Sequence, residues 1–269
     1  CKRFPDGLIR KLKSRFCVRG DKQIEGVDYF DTFAPVVNWT TVRLMLVLSI
    51  ILGLSSRQVD YTAAFVQAPI DWDPDWDNLT PEEQRCRGVF IEMARGFREP
   101  GKVLRLKRSL YGLKQSPRNF FAHLKSNLEA IGFSSLPGAD PCLFFVSEQV
   151  ICLVYVDDTL FFSPKQEYID AVIDHLQNER KMELEVEQDV AGFLGVHLER
   201  DLRDGTVKLT QSGLTKHIIE ALGVANKPIK ATPAKKEPLV IDKDGEVPGG
   251  TYSYASVIGM LQCIYRRIR

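Results

Sequence analysis

The sequence predicts an α+β fold, because strand-like and helix-like segments are mixed along the chain without strict β–α alternation. Apolar residues alternate with polar ones in some segments and recur at three- and four-residue spacing in others, with Gly and Pro turns dividing them. At 269 residues, 44% hydrophobic and 26% charged, the chain is long enough for one large domain or two small ones around a sizeable core.

Taken in order, residues 8–19 alternate as a strand. Leu8, Leu12, Phe16 and Val18 fall on one face, interrupted by Arg10 and Ser14, and Lys11, Lys13, Arg15 and Arg19 fall on the other. Gly20-Asp21 marks a turn. Thr40 reads as the N-cap of an apolar helix through Leu54, with Gly53 at its end. Its apolar run from Leu44 is shorter than the ~20 residues that cross a bilayer. Cys1-Lys2-Arg3 leads into polar sequence, unlike a secretory signal, so no membrane association is expected. Arg57 to Phe65 reads as a strand entering a polar corner, and 71–88, rich in Asp, Pro and Trp, as a loop insertion.

Val89–Met93 and Val103–Leu106 are expected strands around Gly96 and Pro100-Gly101. Pro117 opens a helix whose face is Phe121, Leu124, Leu128 and Ile131, stopped by Gly132. Val150–Val156 and Thr159–Phe162 read as a hairpin separated by Asp157-Asp158. Ile169, Val172, Ile173 and Leu176 mark a further helix, and Phe193–Leu198 and Thr206–Leu209 are strands around the Asp204-Gly205 turn. The rest, with Pro228, Pro233, Pro238 and Pro248, is expected as loop until a last helix near Tyr254. No internal repeat is present. The chain starts without Met and ends on Arg266-Arg267-Ile268-Arg269, which reads as a piece of a longer protein.

The six cysteines include no Cys-x-x-Cys pair and the four histidines no metal-binding spacing, which argues against a zinc site. Most of the cysteines sit in apolar stretches and read as small core residues of a reducing compartment. The net charge of +1 hides a strong pattern. Residues 2–19 carry Lys2, Arg3, Arg10, Lys11, Lys13, Arg15 and Arg19 against Asp6 alone, and Lys102, Arg105, Lys107, Arg108, Lys114 and Arg118 form a second basic stretch. Acid gathers at Asp71–Glu83 and Glu183–Asp189. Either basic stretch alone is as well explained by a solvated face; together, flanking acidic site candidates, they suit an enzyme that binds a polyanion and holds metal ions.

Asp157-Asp158 is the least ordinary feature, two acids between apolar strands where an unpaired charge is costly. A plain hairpin turn is the competing reading, since Asp favours turns, although the glycine that tight hairpins prefer is missing. Asp60 ends another strand, Gln58-Val59-Asp60-Tyr61. Two strand-end acid sites of this kind supply the oxygen ligands that suit magnesium, and a pair of such ions clamps an in-line phosphoryl displacement. The chemistry is selected by the carboxylates; polymerisation over hydrolysis is not.

Tyr155-Val156-Asp157-Asp158 resembles the YVDD box of reverse transcriptases, and Leu110-Tyr111-Gly112-Leu113-Lys114-Gln115-Ser116-Pro117-Arg118 resembles the LYGLKQxPR box of copia-type retrotransposon polyproteins. Arg19-Gly20, Gly26-Val27-Asp28-Tyr29, Thr32-Phe33-Ala34-Pro35-Val36, Gln58-Val59-Asp60, Ala64-Phe65 and Phe193-Leu194-Gly195 follow the same family order. The four-letter box alone is weakly specific; the nine-residue box with colinear neighbours is strongly so.

That resemblance implies a right-hand polymerase, with fingers and an antiparallel palm sheet packed on helices over residues 1–205 and a truncated thumb or connection start over 206–269. It implies RNA-directed DNA synthesis with two magnesium ions, or manganese in their place, from deoxynucleoside triphosphates on an RNA or DNA template with a DNA primer. Asp60 and Asp157 would hold the ions, with the Tyr61 carbonyl as a further ligand and Asp158 more peripheral. Phe65 would stack under the sugar and exclude a 2′-hydroxyl; without the resemblance, core packing is its plainer role. Lys114 and Gln115 would lie near the nucleotide, and Lys13, Arg15 or Arg19 would hold the triphosphate. Phe193, Leu194 and Gly195 would grip the primer. Lys181 stands where polymerases place a proton donor for pyrophosphate, or is simply a solvated lysine. Integrase and ribonuclease H segments are expected in the full polyprotein, and an intracellular, cytoplasmic setting, in virus-like particles with access to the nucleus, follows. The competing readings are an inactive retroelement remnant or nucleic-acid-binding module, and a palm-like cyclase or phosphohydrolase.

Overall fold

Six antiparallel strands drawn from separated stretches of sequence make the sheet that carries the candidate carboxylates. A computed structural model gives the chain apart from residues 1, 4–8, 12–13, 71–77, 136–137, 148, 188–191, 194–195, 202, 229–252 and 269. Two compact units result, Cys1–Val190 and Ala191–Arg269.

In the first unit, β1 (Lys2–Arg3) pairs with β2 (Ile9–Lys11). The expected strand over 8–19 does not continue: residues 14–16 are irregular, Phe16 is exposed, and Cys17 makes an isolated bridge to Tyr111. Helix α1 (Trp39–Ile51) begins one residue before Thr40, because the Asn38 side chain accepts the Thr40 N–H at 3.0 Å and is the cap. Asp140 supports that start, accepting from the Asn38 N–H at 2.7 Å and the Thr41 hydroxyl at 2.8 Å.

Strand β3 (Ser55–Tyr61) stops short of Phe65, which lies instead on a four-residue helix, α2 (Ala64–Gln67). The segment expected as a loop insertion holds α3 (Pro81–Arg87) at 81–87; 71–77 lie outside the described residues. Thr80 and Glu83 cap each other reciprocally at its start, with Pro81 in the first turn. β4 (Phe90–Ile91) and β5 (Leu104–Arg105) pair as a short ribbon.

Helix α4 (Ser116–Ala130) presents Phe120, Leu124 and Leu128, all fully buried, so its stripe is centred on Phe120 rather than Phe121. Phe120 meets Tyr61 edge-on at 5.5 Å, while Phe121 reaches Phe144 at 6.5 Å. β6 (Ser134–Ser135), β7 (Leu143–Val146), β8 (Val150–Tyr155), β9 (Asp158–Ser163) and, after helix α5 (Gln166–Asp174) and the π-helical turn His175–Glu179, β10 (Leu184–Glu187) complete the sheet. Its order is β10-β3-β9-β8-β7-β6. The middle is dry: Leu153, Val154, Leu160, Phe161 and Phe162 are fully buried, each worth about 1.5–3 kcal/mol of transfer free energy where the side chain is large. Arg180, just past the π turn, donates to the Asn127 side-chain Oδ1 at 2.8 Å and ties that turn to α4.

The second unit holds the three-stranded sheet β11 (Gly192–Phe193), β12 (Val196–Asp201) and β13 (Thr206–Thr210), then α6 (Ser212–Leu222) and α7 (Tyr254–Ile268). α7 begins where expected; α6 lies in a stretch expected to be loop. Among the described residues no helix is long and apolar enough to cross a membrane. Of the described cysteines only Cys142 and Cys152 are buried, whereas Cys17 and Cys86 are exposed, so core packing explains fewer of them than the sequence suggested.

Candidate active site

Strand register builds the site. Asp60, near the end of β3, lies directly opposite Asp158, the first residue of β9, and Asp158 in turn faces Tyr155 at the end of β8. On its other side Asp60 faces Glu185 of β10, and Gln58 faces Glu187. Side chains alternate along strands and direct partners share a face, so Gln58, Asp60, Tyr155, Asp158, Glu185 and Glu187 occupy one face of three strand pairs.

The connection between β8 and β9 is Val156-Asp157, not Asp157-Asp158. Val156 has φ 55°, at the first central position of a two-residue hairpin, where type II′ turns take glycine. A β-branched residue there stores on the order of 1–3 kcal/mol of strain, and such outliers gather at functional sites. The Tyr61 N–H donates to the Asp157 carbonyl at 3.3 Å, fastening the turn to β3. Tyr61 itself is buried against Phe120, and burial pushes its phenol well above the usual range.

Burial also pushes the Asp158 carboxyl up to about 6, and the charges of Asp157, Asp60 and Glu187 push the same way, against a hydrogen bond with Gln58. Like charges gathered at a strand end, raising one of their number, are the donor set that a hard cation neutralises. The side chains are not drawn together, however: among the described residues no three His, Cys, Asp or Glu side chains are arranged to hold a metal ion. Backbone placement and charge thus fit a divalent ion, while the side-chain arrangement is not preassembled.

Beyond Tyr61 the chain turns sharply, with Ala63 at φ 49°, into α2. Gln67 secures that corner, donating to the carbonyls of Thr62 and Glu183 at 2.7 Å each and accepting the Glu183 N–H at 3.0 Å. Phe65 is half-buried, its ring 5.0 Å from Tyr111 and 6.3 Å from Phe120. Arg15 lies over the Tyr111 ring at 5.2 Å.

Two glycines let the segment around Arg19 dock on the Tyr111 loop. The Val18 N–H donates to the Tyr111 carbonyl at 2.8 Å. A Cβ on Gly20 would lie 1.9 Å from the Gly112 carbonyl oxygen, and one on Gly112, which has φ 93°, would lie 2.1 Å from the Val18 oxygen. Gln23 latches the joint, its side chain accepting the Lys114 N–H at 2.8 Å and donating to the Gln115 side-chain Oε1 at 3.0 Å. Gln115 donates onward to the Asp28 carbonyl at 3.1 Å and is 1% exposed, so its amide is committed to the loop rather than open to a ligand. Lys114 is exposed but also engaged, reaching the Tyr29 hydroxyl at 3.0 Å and lying over that ring.

Of the other sequence candidates, Arg19 forms a two-point ion pair with Asp21 at 2.8 and 2.6 Å, which holds the Asp21 carboxyl at about 2. Lys181 is exposed, with φ 56°, three residues ahead of β10 at the Asp60 end of the sheet. Lys13, Leu194 and Gly195 lie outside the described residues, and Phe193 is placed in β11 of the second unit by its backbone alone. The sequence reading missed Gln58, Glu185, Glu187, Gln23 and the Tyr111 ring. Only the alternation Leu184-Glu185-Val186-Glu187 offered a signal for the two glutamates.

Residues 4–236 match the family model described as reverse transcriptase (RNA-dependent DNA polymerase). Among curated relatives, the retrovirus-related Pol polyprotein from transposon RE2 of Arabidopsis thaliana is 28% identical over 96% of this chain and 17% of its own length. That from transposon TNT 1-94 of Nicotiana tabacum is 28% identical over 97% of this chain and 19% of its own length. The truncated transposon Ty1-A Gag-Pol polyprotein of Saccharomyces cerevisiae is 30% identical over 86% of this chain and 19% of its own length. The chain therefore spans under a fifth of the length of these relatives. With the family model matched over most of its residues, on top of a strand register that sets Asp60 beside the Tyr155–Asp158 hairpin, this chain belongs to the reverse transcriptase (RNA-dependent DNA polymerase) family.

Proposed function

We propose that the chain is the RNA-directed DNA polymerase core of a copia-type retrotransposon Pol polyprotein, extending a DNA primer on an RNA or DNA template with deoxynucleoside triphosphates. The observation that carries this reading is the direct pairing of Asp60 with Asp158 beside the strained Val156-Asp157 turn. In the reaction the primer 3′-hydroxyl gives up its proton to water, its oxygen bonds to the α-phosphorus, the bond from that phosphorus to the α–β bridging oxygen breaks, and pyrophosphate leaves. Asp60 and Asp157 would hold magnesium or manganese, with the Tyr61 carbonyl assisting and Asp158 more peripheral. The ions supply Lewis acidity for the attacking and departing oxygens. Phe65 lines the sugar position and disfavours a 2′-hydroxyl sterically. Arg15 and Arg19, with Lys13, are the cations for the triphosphate, and Arg19 must give up Asp21 to serve. Lys181 is the proton donor to pyrophosphate, and Phe193, Leu194 and Gly195 grip the primer. Residues 1–205 would then be fingers and palm, and 206–269 the start of the thumb or connection.

A second reading, a nucleic-acid-binding module without catalysis, is favoured by the lack of a preassembled three-ligand group among the described residues. Magnesium-dependent extension of a DNA primer on an RNA template separates the two: extension by wild type and none by Asp157→Asn is expected. Equal extension by both removes Asp157 from the site, binding without extension supports the module, and triphosphate turnover without template supports a cyclase or phosphohydrolase.

A further inference from the structure

We propose that Tyr111 is the positioning residue that holds the Phe65 ring in place and thereby sets the preference for deoxynucleotides over ribonucleotides. The inference rests on the polymerase reading above and deepens it. Phe65 cannot be held by its own element. α2 is a single turn of four residues, too short to be stable by itself, and its cap, Ala63, carries a positive φ and makes no side-chain capping bond. The ring must therefore be fixed by neighbours.

Two rings touch it. Phe120 is fully buried on α4 and meets Phe65 edge-on at 6.3 Å, a wall at the back. Tyr111, half-buried and closer at 5.0 Å, is tilted 48° to it. Tyr111 is also anchored at both its backbone and its ring. Its carbonyl accepts the Val18 N–H, Cys17 pairs with it in an isolated β-bridge, and the next residue is Gly112, so close to Val18 that a Cβ there would lie 2.1 Å from the Val18 carbonyl oxygen. On the side-chain end, Arg15 lies over the ring, a cation–π contact that couples this cation to the same stack. A loop clamped at its backbone and an aromatic held over by a guanidinium give Phe65 a fixed reference that its own helix lacks.

The test is single-nucleotide incorporation by the full chain, comparing kcat/KM for a deoxynucleoside and a ribonucleoside triphosphate. Tyr111→Leu is expected to lower the deoxy-to-ribo ratio by about tenfold, within the range that pocket contacts of this size discriminate, and Tyr111→Phe to restore it, since the ring rather than the hydroxyl makes the contact. Phe65→Ala is run alongside. If Phe65→Ala loses discrimination while Tyr111→Leu keeps it, the positioning role is overturned. If Phe65→Ala keeps discrimination, the sugar-contact role of Phe65 is what fails, and the Tyr111 proposal falls with it. Should Tyr111→Leu not fold, Tyr111→Met, similar in volume but flexible, is read by the same two outcomes. A wild type that extends no primer overturns the polymerase reading itself.

Discussion

Asp60 and Asp158 face each other as direct cross-strand partners, although strands β3 and β9 are separated in sequence by the whole of α2 to β8. Like charges in direct opposition are destabilising in a sheet. The repulsion within the pair is therefore a cost to the fold that a bound cation or protonation of Asp158 relieves. Replacing Asp60 with Asn should raise the melting temperature of metal-free protein while lowering magnesium-dependent primer extension by about a hundredfold or more, since partners one shell out from a metal already cost 10- to 100-fold. A fall in both would mean that Asp60 is a structural residue.

The raised Asp158 carboxyl gives a stability profile with a definite sign. Its folded-state value of about 6 lies above that of an unfolded aspartate, so the folded chain binds the proton more tightly. Ionisation then opposes folding: the penalty is absent below pH ~4, develops between ~4 and ~6, and is fully present above that. After allowance for partial exposure it amounts to about 1–2 kcal/mol. Denaturant titrations in chelator at pH 4.5 and 7.5 should show this loss in wild type and a smaller one in Asp158→Asn. An identical loss of stability in the two proteins would exclude Asp158 as the origin.

Strain at the turn yields a third test. Glycine accepts the positive φ that Val156 bears, so Val156→Gly should relieve about 1 kcal/mol of strain against the entropy it adds to the unfolded chain. The melting temperature should hold or rise. If the strain serves to fix the Asp157 carboxylate, kcat falls severalfold at unchanged fold; a variant that is both destabilised and fully active would contradict both halves of the argument.

How much of this was legible follows from what each residue depends on. The two apolar runs of the hairpin and the carboxylates between them are local, and the sequence shows them. That the turn is Val156-Asp157, with Asp158 already in the strand, was hidden, since turn chemistry ordinarily places Gly or Asn at positive φ and a valine there is an outlier. The Thr80–Glu83 capping box was present but lost among the Asp and Pro residues around it. Gln115 sits in the most family-specific segment and reads as a ligand; only packing shows that its amide is buried between Gln23 and Asp28. Glu185 and Glu187 join the carboxylate face through pairing of β10 with β3, a non-local register that no window of sequence contains.

Gly112 carries the last prediction. Its Cβ would fall 2.1 Å from the Val18 carbonyl oxygen and its φ is 93°, so Gly112→Ala meets both a backbone clash and a disallowed conformation. Both partners are backbone, so neither can swing aside as a side chain would. The loop must separate from the 17–23 segment, breaking the Val18–Tyr111 hydrogen bond and loosening the Gln23 latch on Lys114 and Gln115. Global stability should fall by about 2–4 kcal/mol if the joint is integral to the fold. If instead the joint opens independently, hydrogen exchange at the Val18 and Lys114 amides should accelerate at nearly unchanged melting temperature. Protection of those amides and stability both at wild-type levels would show that this contact is absent in solution.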